Sequence, residues 1–539
     1  MRRLAFLLAL AIAAIAPRTA RADNGGWTVS GVVMSATTGA PLDRTEVTLS
    51  TTGENGTQLA EVLTNEAGAF RFDGVQTGKY ALSASRRGYL PSSYQEHDAY
   101  FTAVVTGPGQ NTRNLRFELT PYGAISGTVT DDGGSPVAEA KVTLFRQDDS
   151  DGEMKVRQAG GGMTDDAGQY EFARIKGGTY YIAVSAEPWY AFRANAPVNL
   201  SNGQQDEAPP SPLDVAYPLT FYPNAPDSSS ATPIPINAGD RVEANFTLHA
   251  VPAIHLKLQL PAEAGRRGMS VPTLTQDAFG ADQSVQSLDV GNLAYDRRSG
   301  SVTVYYGPVA PGHYELQQGS TTISLEATSS RTLDGLPAAS TVEVRGRFAM
   351  ASGAALPDRL TASLVSMSGG EGRFTMPVGR DGSFDFGSVP AGTYLLSPNG
   401  ALEVVQMAAS GAEVHGSRIT VGSDAAMVAA TLASGSATVN GFAMRDGQGA
   451  GGMLVLLVPS DPSANPDLIR RDQSDSDGSF SLPAVVPGSY TLVAIANGWN
   501  LEWKHRDAIA AYLQHGVPVQ VPENQRTVNV AGPVQVVNR

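Results

Sequence analysis

One spacing of apolar, glycine and tyrosine positions recurs five times along the chain. Counted from its first residue, each copy has apolar or aromatic side chains at positions 0, 2 and 5, Gly at position 8 and Tyr at position 10. The copies begin at Phe70, Tyr170, Val304, Phe384 and Phe480. Positions 0 and 2 face the same side of a β-strand, so both side chains enter one core. Five matches without a gap indicate a repeated domain.

The glycine and tyrosine positions predict a β-hairpin with a fixed corner. Four copies carry a glycine two residues before the first position, which suits a tight turn with positive φ. These glycines are Gly68, Gly168, Gly382 and Gly478. The tyrosine at position 10 is expected to bury its ring while its hydroxyl bonds to loop backbone, as in the tyrosine corner of β-sandwiches. We expect this role for Tyr80, Tyr180, Tyr394 and Tyr490.

The repeat extends beyond the hairpin in both directions. Four copies are preceded by a strand with a central glycine, at Gly31, Gly127, Gly346 and Gly441. Three copies share an aromatic residue nineteen positions after the first residue, at Tyr89, Trp189 and Trp499. Each unit is therefore expected to be an all-β domain of roughly a hundred residues, and the units to follow one another like beads in a row. The stretch "RDAIAAYLQHG" predicts a short helix with Ile509, Tyr512 and Leu513 on one face, ended by Gly516.

The first residues and the five repeats divide the chain into a leader and five units. Residues 1–22 are the predicted signal peptide. We name the segments that follow unit one (23–121), unit two with a long aromatic insertion (122–252), the degenerate unit three (253–340), unit four (341–436) and unit five (437–539).

The first residues predict export. "MRRLAFLLALAIAAIAPRTARA" has a basic start, a short apolar run and an Ala20-Arg21-Ala22 ending, so cleavage is expected before Asp23. No later segment reaches the roughly 18 apolar residues of a spanning helix. We expect an exported protein that is periplasmic, associated with the outer surface or secreted, with no transmembrane segment in the mature chain.

The amino-acid composition excludes several kinds of site and partner. The chain has no cysteine, which removes disulfides, thiolate nucleophiles and thiolate metal ligands. Removal of the leader takes away four arginines and no acids, so the formal net charge of −14 becomes −18. Nucleic acid and anionic lipid need clustered Lys and Arg, and so neither is an expected partner.

The stretches "TGAPLDRTEVTL" and "GGSPVAEAKVTL", the repeated hairpin and a trailing strand such as "NLRFEL" resemble the carboxypeptidase regulatory-like domain. The resemblance implies a tandem array of about five transthyretin-like, seven-stranded Greek-key β-sandwiches, a fold grouped with carbohydrate-binding-like domains. The multi-copy pattern is similar to that of exported acidobacterial-type proteins. One sandwich fold hosts many roles, so the resemblance implies a fold more than an activity.

Catalytic and metal-binding motifs are not found in the sequence, and neither a catalytic residue, a metal site nor a cofactor is expected. None of the seven histidines is followed by Glu in the His-x-x-Glu spacing of a zinc carboxypeptidase. "DQSDSDG" (472–478) differs from a calcium loop because Gln473 replaces the first acid and Ala484 stands at the position of the bidentate Glu. We interpret it as a solvated hairpin turn, and "DDSDGE" (148–153) as an exposed loop.

Aromatic residues are the remaining candidates for a site. The insertion at 187–223 concentrates six of them, namely Trp189, Tyr190, Phe192, Tyr217, Phe221 and Tyr222. Exposed rings could stack on sugars, and Trp189, Tyr190, Tyr217 and Tyr222 are the ligand-binding candidates. The alternative is that these rings pin the insertion onto its own sandwich, and Trp499 and Trp503 are expected to pack against the short helix in the same way.

The function hypotheses remain two. The first is a non-enzymatic binding or spacer protein of the cell envelope, with a polysaccharide or another envelope component as partner. The second is a purely structural or protein-interaction module that offers strand edges to a protein partner. An enzyme is the least favoured class.

Overall fold

The structure is a computed structural model that describes residues 26–53, 56–191, 211–260, 271–285, 293–295, 301–318, 321–335, 341–367, 372–461 and 465–539. The predicted signal peptide and Phe192 lie outside these residues. The described chain is built almost entirely of strands, which confirms the predicted all-β class. The number of sandwiches and the boundaries between them stay predictions.

Unit one places its strands in two sheets. The strands are β1 (Trp27–Ser35), β2 (Glu46–Thr51), β3 (Gln58–Leu63), β4 (Ala69–Val75), β5 (Gly78–Ser85), β6 (Ser92–Ser93), β7 (Val104–Thr106) and β8 (Leu115–Leu119). The first sheet has the order β4-β1-β8. The second has the order β3-β2-β5-β6, and β7 also pairs with β5.

Unit two repeats this plan. Its strands are β9 (Gly123–Asp131), β10 (Lys141–Asp148), β11 (Lys155–Met163), β12 (Gln169–Ile175), β13 (Gly178–Ser185), β14 (Val215–Ala216), β15 (Thr220–Phe221), β16 (Ile234–Ile236), β17 (Arg241–Glu243) and β18 (Phe246–Leu248), with a 3-10 turn at Ser228–Ser230. Strands β12, β9, β17 and β18 form the first sheet, and β11, β10, β13, β15 and β16 form the second.

Unit three consists of shorter sheets. The strand β19 (Val251–Pro252), at the end of unit two, pairs with β14. The strands of unit three are β20 (Ile254–Leu260), β21 (Thr273–Ala278), β22 (Ala281–Ser284), β23 (Leu293–Tyr295), β24 (Val302–Val309), β25 (Gly312–Gln318), β26 (Thr321–Ala327) and β27 (Arg331–Asp334). The two main sheets run β23-β24-β20-β27 and β22-β21-β25-β26.

Units four and five complete the array. Unit four has β28 (Thr341–Met350), β29 (Thr361–Ser366), β30 (Arg373–Pro377), β31 (Ser383–Pro390), β32 (Gly392–Pro398), β33 (Leu402–Ser410), β34 (Ala412–His415), β35 (Arg418–Val421) and β36 (Ala426–Ser434), in the sheets β31-β28-β36-β33 and β30-β29-β32-β35-β34. Unit five has β37 (Ala437–Arg445), β38 (Gln448–Gly449), β39 (Leu454–Pro459), a 3-10 turn (Pro466–Leu468), β40 (Arg470–Gln473), β41 (Ser479–Val485), β42 (Gly488–Ala496), α1 (Arg506–Leu513), β43 (Val517–Val521), β44 (Thr527–Asn529) and β45 (Val534–Asn538). In unit five β45 pairs with both β37 and β42 and so joins the strands into one sheet.

The hydrophobic cores follow the five units. Five buried clusters each lie within one unit, apart from Ala433, which belongs to unit four in sequence and packs into the core of unit five. The apolar residues at positions 0 and 2 of the hairpins point into these cores, as the alternation of a strand requires. The predicted helix is confirmed as α1, whose Ile509 is fully buried.

A β-bulge explains why the third apolar residue stands at position 5 rather than 4. In units one, two, three and five the pairing register shifts between the second and third apolar positions, and in unit four it shifts at the second, Phe386. A residue with positive φ lies at each shift, for example Gly74 at 75° and Gly387 at 64°. The extra residue of a bulge turns the side chain at position 5 to the same face as positions 0 and 2, so it enters the core.

The central glycine of the first strand leaves room for the first aromatic ring of the hairpin. Gly346 lies opposite Phe384, and Gly441 lies opposite Phe480. A Cβ atom on Gly346 would approach the Phe384 ring within 2.4 Å, and one on Gly441 would approach the Phe480 ring within 2.5 Å. Glycine is therefore required because the first aromatic ring of the hairpin lies across it.

The predicted tyrosine corner is present in each repeat. The tyrosine hydroxyl donates to the carbonyl oxygen four residues earlier, over 2.7–3.0 Å, in Tyr80, Tyr180, Tyr394 and Tyr490. Tyr314 of unit three donates to Ala310 in the same way. Each ring lies in the core while its hydroxyl closes the bend of the hairpin.

Candidate functional site

The predicted aromatic site divides into an exposed part and a buried part. The Trp189 side chain is 85% exposed, and Tyr190 meets it edge-on with ring centroids 5.7 Å apart. Tyr217 is 7% exposed and belongs to the core of unit two. Tyr222 packs against the same core and meets Phe246 edge-on at 5.9 Å. Trp189 is thus the candidate ring that is most open to a ligand.

Tyr190 lies near both parts. Burial, together with hydrogen bonding to Tyr190, raises the pKa of the Tyr217 hydroxyl. Asp131 and Asp132 lie close enough to raise the same pKa further. Tyr190 therefore neighbours both the buried tyrosine and the exposed indole ring.

Trp499 stands at the same position of the repeat as Trp189 but is covered. Its ring is 8% exposed and lies parallel to the His97 ring of unit one, with centroids 4.6 Å apart and an angle of 7°. Tyr100 approaches the same indole at 6.1 Å. A tryptophan at this position of the repeat can therefore hold a flat ring stacked on its face.

Units one and five meet at a polar joint. Gln473 is 2% exposed, and its amide nitrogen donates to the carbonyl oxygen of Gln95 at 2.6 Å and to the Thr102 hydroxyl at 2.8 Å. Its amide oxygen lies 3.0 Å from Nδ1 of His97. Every polar atom of the buried amide is thus engaged, and all three partners belong to unit one.

Backbone groups continue the joint along β7. The Ser476 N–H donates to the Ala103 carbonyl at 2.9 Å, and the Val105 N–H donates to the Ser476 hydroxyl at 2.8 Å. Lys79 forms an ion pair with Asp475 at 2.5 Å. Because this turn bonds to a neighbouring strand and has no exposed residue, the prediction of a solvated turn at 472–478 is wrong.

The second acidic loop is also a contact between units. Gly152 lies against the Trp503 ring of unit five and accepts a hydrogen bond from the Lys504 N–H at 3.2 Å. Glu153 lies 3.7 Å from Arg418 of unit four, which lies 3.6 Å from Asp467 of unit five. Unit five therefore touches units one, two and four, and the prediction of separate beads in a row is wrong.

Trp503 completes this contact. It is 6% exposed and shares a hydrophobic cluster with Trp499 and Ile509 of α1. The guanidinium of Arg471 lies 5.4 Å from its ring centroid and 4.7 Å from that of Tyr100 in unit one. An arginine between two aromatic faces adds a cation–π attraction across the joint.

We expect Asp472, beside this joint, to give a measurable pH dependence. Burial raises its pKa to about 6, although the backbone N–H groups of Ser481 and Gln473 donate to its carboxylate. A folded-state pKa above the unfolded one favours the folded chain when the group is protonated, and this contribution is lost as the pH rises through about 6. Between pH 7 and pH 4 the Tm of wild type should therefore rise relative to that of Asp472→Asn. His97, whose pKa burial lowers, acts in the opposite direction but is present in both proteins.

Thermal melts of both proteins across this pH range test the assignment. A constant difference in Tm at all pH values would contradict it, because the carboxyl would then titrate alike in the folded and unfolded chain.

Paired sheets around separate cores define the class of the chain as an all-β protein of tandem β-sandwiches. Within it, residues 28–120 and 124–209 match the model of the carboxypeptidase regulatory-like domain, which confirms the resemblance predicted from the sequence motifs. Comparison with curated proteins gives no match.

Solved structures give distant likenesses. The TIE protein of Bacillus anthracis is 9% identical, with 95% of this chain and 73% of that chain covered and a TM-score of 0.17. The shaft pilin SpaA of Lactobacillus rhamnosus GG is 10% identical, covering 42% of this chain and 97% of that one, with a TM-score of 0.18. A minor pilin of Streptococcus agalactiae is 13% identical, covering 42% and 96%, with a TM-score of 0.21. Scores this low support no argument, and the fold rests on the sheets themselves.

Two further findings concern the part of the chain that the structure describes. No helix there has the length and apolar character needed to cross a membrane. Its His, Asp and Glu side chains do not come together in a group of three that could hold a metal ion.

Proposed function

We propose that the protein is an exported, non-enzymatic binding and spacer protein of the cell envelope, with polysaccharide as its ligand class. The observation that carries the proposal is the 85% exposure of Trp189, at the position of the repeat where Trp499 holds a stacked ring. A flat indole face left in water is suited to the apolar face of a sugar ring, as it is to other flat groups. The contacts of unit five with units one, two and four support the spacer role.

We expect Trp189→Ala to abolish retention of the mature protein in native gels that contain the recognised polysaccharide. Its free energy of unfolding should change by less than about 0.5 kcal/mol, because the side chain is exposed. Gels with laminarin, xylan, galactomannan and dextran, run beside thermal melts, make the measurement.

Tyr222→Ala is the matched variant of the same insertion. Its ring packs on the core of unit two, so we expect a loss of about 3 kcal/mol. Unchanged retention of Trp189→Ala on a polysaccharide that binds wild type would contradict the role of this indole. A marked fall in its Tm would show that the ring packs rather than binds.

The second candidate function, a purely structural or protein-interaction role, is favoured by the polar joint between units one and five. Sandwiches of this chain already dock on one another through buried hydrogen bonds. Failure of wild type to bind any polysaccharide, with the joint intact, would favour this role.

A further inference from the structure

Unit one carries a polar cleft of about 260 Å³ on the outer face of its second sheet. Strands β2 and β5 form the floor, and the segment 91–96 forms one wall. The polar residues that line it are Glu46, Thr48, Ser83, Ser85, Ser92, Ser93 and Glu96.

The strand register builds this lining. Thr48 pairs with Ser83, and Ser83 pairs with Ser93, so three hydroxyl-bearing residues lie in one row across three strands. Glu46 and Ser85 form the neighbouring pair. The residues between them in sequence, Val47 and Ala84, are buried in the core, so the alternation of the strands places these polar side chains outside.

Several polar groups that line the cleft are available to form hydrogen bonds with a ligand. Among the residues that the structure describes, no hydrogen bond is found for the side chains of Glu46, Thr48, Ser83 and Ser85. Glu96 accepts the Ser93 N–H at 2.6 Å through one carboxylate oxygen, which fixes the wall and leaves the other oxygen available. Hydroxyls that donate and accept, beside carboxylates that only accept, match a ligand with several hydroxyl groups of its own.

The corresponding sheet face is covered in units two and five. In unit two, Thr143 donates to Gln283 of unit three at 3.1 Å, and Ala183 packs in a cluster with Phe279. In unit five, Leu456 and Val493 lie in the cluster that contains α1 and Trp503. This face of the sandwich therefore receives another element in two units, whereas in unit one it is hydroxyl-lined and open.

We propose that the cleft of unit one binds a saccharide residue of a polysaccharide; this proposal rests on the proposed function and adds a second contact point to Trp189. Ligand pockets usually measure about 300–1,000 Å³, so a cleft just below this range suits one sugar-sized group. The carboxylate of Glu46 accepts from sugar hydroxyls, and the hydroxyl row exchanges hydrogen bonds with the ring substituents. The acidic lining disfavours anionic polymers, so the expected ligand is neutral.

Native affinity electrophoresis of the full mature chain tests the proposal with laminarin, xylan, galactomannan and dextran as probes, and alginate as the acidic probe. Ser83→Leu fills the floor of the cleft from an outward-facing position, and Glu46→Gln removes the charge. The matched control is Ser397→Leu in unit four, since Ser397 is similarly half-buried and pairs with Ser363 as Ser83 pairs with Thr48. We expect Ser83→Leu and Glu46→Gln to raise the Kd for a neutral polysaccharide at least tenfold, and Ser397→Leu to leave it unchanged.

The outcomes separate the cleft from Trp189. Loss of retention in Trp189→Ala with normal retention in Ser83→Leu would overturn the cleft site and keep the proposed function. Loss in Ser83→Leu and Glu46→Gln with normal retention in Trp189→Ala would support the cleft and remove the indole from the site. The saccharide proposal would be overturned if wild type preferred alginate or was retained by none of the polysaccharides. It would also be overturned if Ca²⁺ raised the Tm of wild type but not of Glu46→Gln, with no polysaccharide bound.

Discussion

Replacement of Tyr180 by alanine is expected to lower the free energy of unfolding of unit two by about 3–5 kcal/mol. The ring is 2% exposed and packs in the core of the unit, so its removal leaves a cavity. The hydroxyl donates to the Lys176 carbonyl at 2.7 Å, and alanine also removes this bond. Tyr180→Phe keeps the ring and should cost about 1 kcal/mol, the usual value of one hydrogen bond.

Hydrogen exchange of the full chain, followed by mass spectrometry over β10 and β13, is the appropriate measurement, because a protein of several domains does not unfold in one two-state step. Exchange in Tyr180→Phe should lie between wild type and Tyr180→Ala. If β13 in Tyr180→Ala exchanged as slowly as in wild type, the corner would not stabilise the hairpin.

Gln473→Ala is expected to weaken the joint between units one and five. The variant removes the partner of the Gln95 carbonyl and of the His97 ring, and leaves the Thr102 hydroxyl only its bond to the Ser474 carbonyl, in a site that is closed to water. Each unpaired buried polar group costs about 1–3 kcal/mol, so the closed arrangement should lose about 2–4 kcal/mol. Unit five itself should stay folded, because the Gln473 amide bonds to unit one rather than to the core of unit five.

The absence of cysteine makes the opening measurable, since a pair introduced at the exposed residues Glu66 and Glu523 takes two fluorophores without competing thiols. Energy transfer between units one and five should fall in Gln473→Ala. Gln520→Ala, an exposed glutamine of unit five, serves as control and should keep the wild-type value. Equal transfer in all three proteins would show that the joint does not depend on Gln473.

The hairpins were predictable because their pattern is local. Alternation places the apolar residues, a turn needs glycine, and the tyrosine reaches a carbonyl only four residues away. The sequence also indicates the bulge, because its third core position is 5, whereas a regular strand would place its core positions at 0, 2 and 4. The short helix was predictable for the same reason, because its buried face lies within one run of residues.

Contacts between units were not predictable, because they depend on a surface far away in sequence. Asp381 in the Asp-Gly turn at 381–382 is exposed, whereas Asp477 in the similar turn at 477–478 is half-buried and adjoins the joint with unit one. Likewise Trp189 and Trp499 occupy one position of the repeat and differ in exposure because His97 covers only Trp499. The polar cleft depends on the register of Thr48, Ser83 and Ser93, which no spacing along the chain specifies.

The joint between units one and five also sets an order of events during biosynthesis. Its bonded residues stand 371 to 400 positions apart, so unit one leaves the ribosome long before its partner exists. Until unit five has folded, His97, Tyr100 and Thr102 face solvent on an otherwise finished domain. A chain that lacks residues 437–539 therefore exposes this surface of unit one, which the docking of unit five covers in the folded protein.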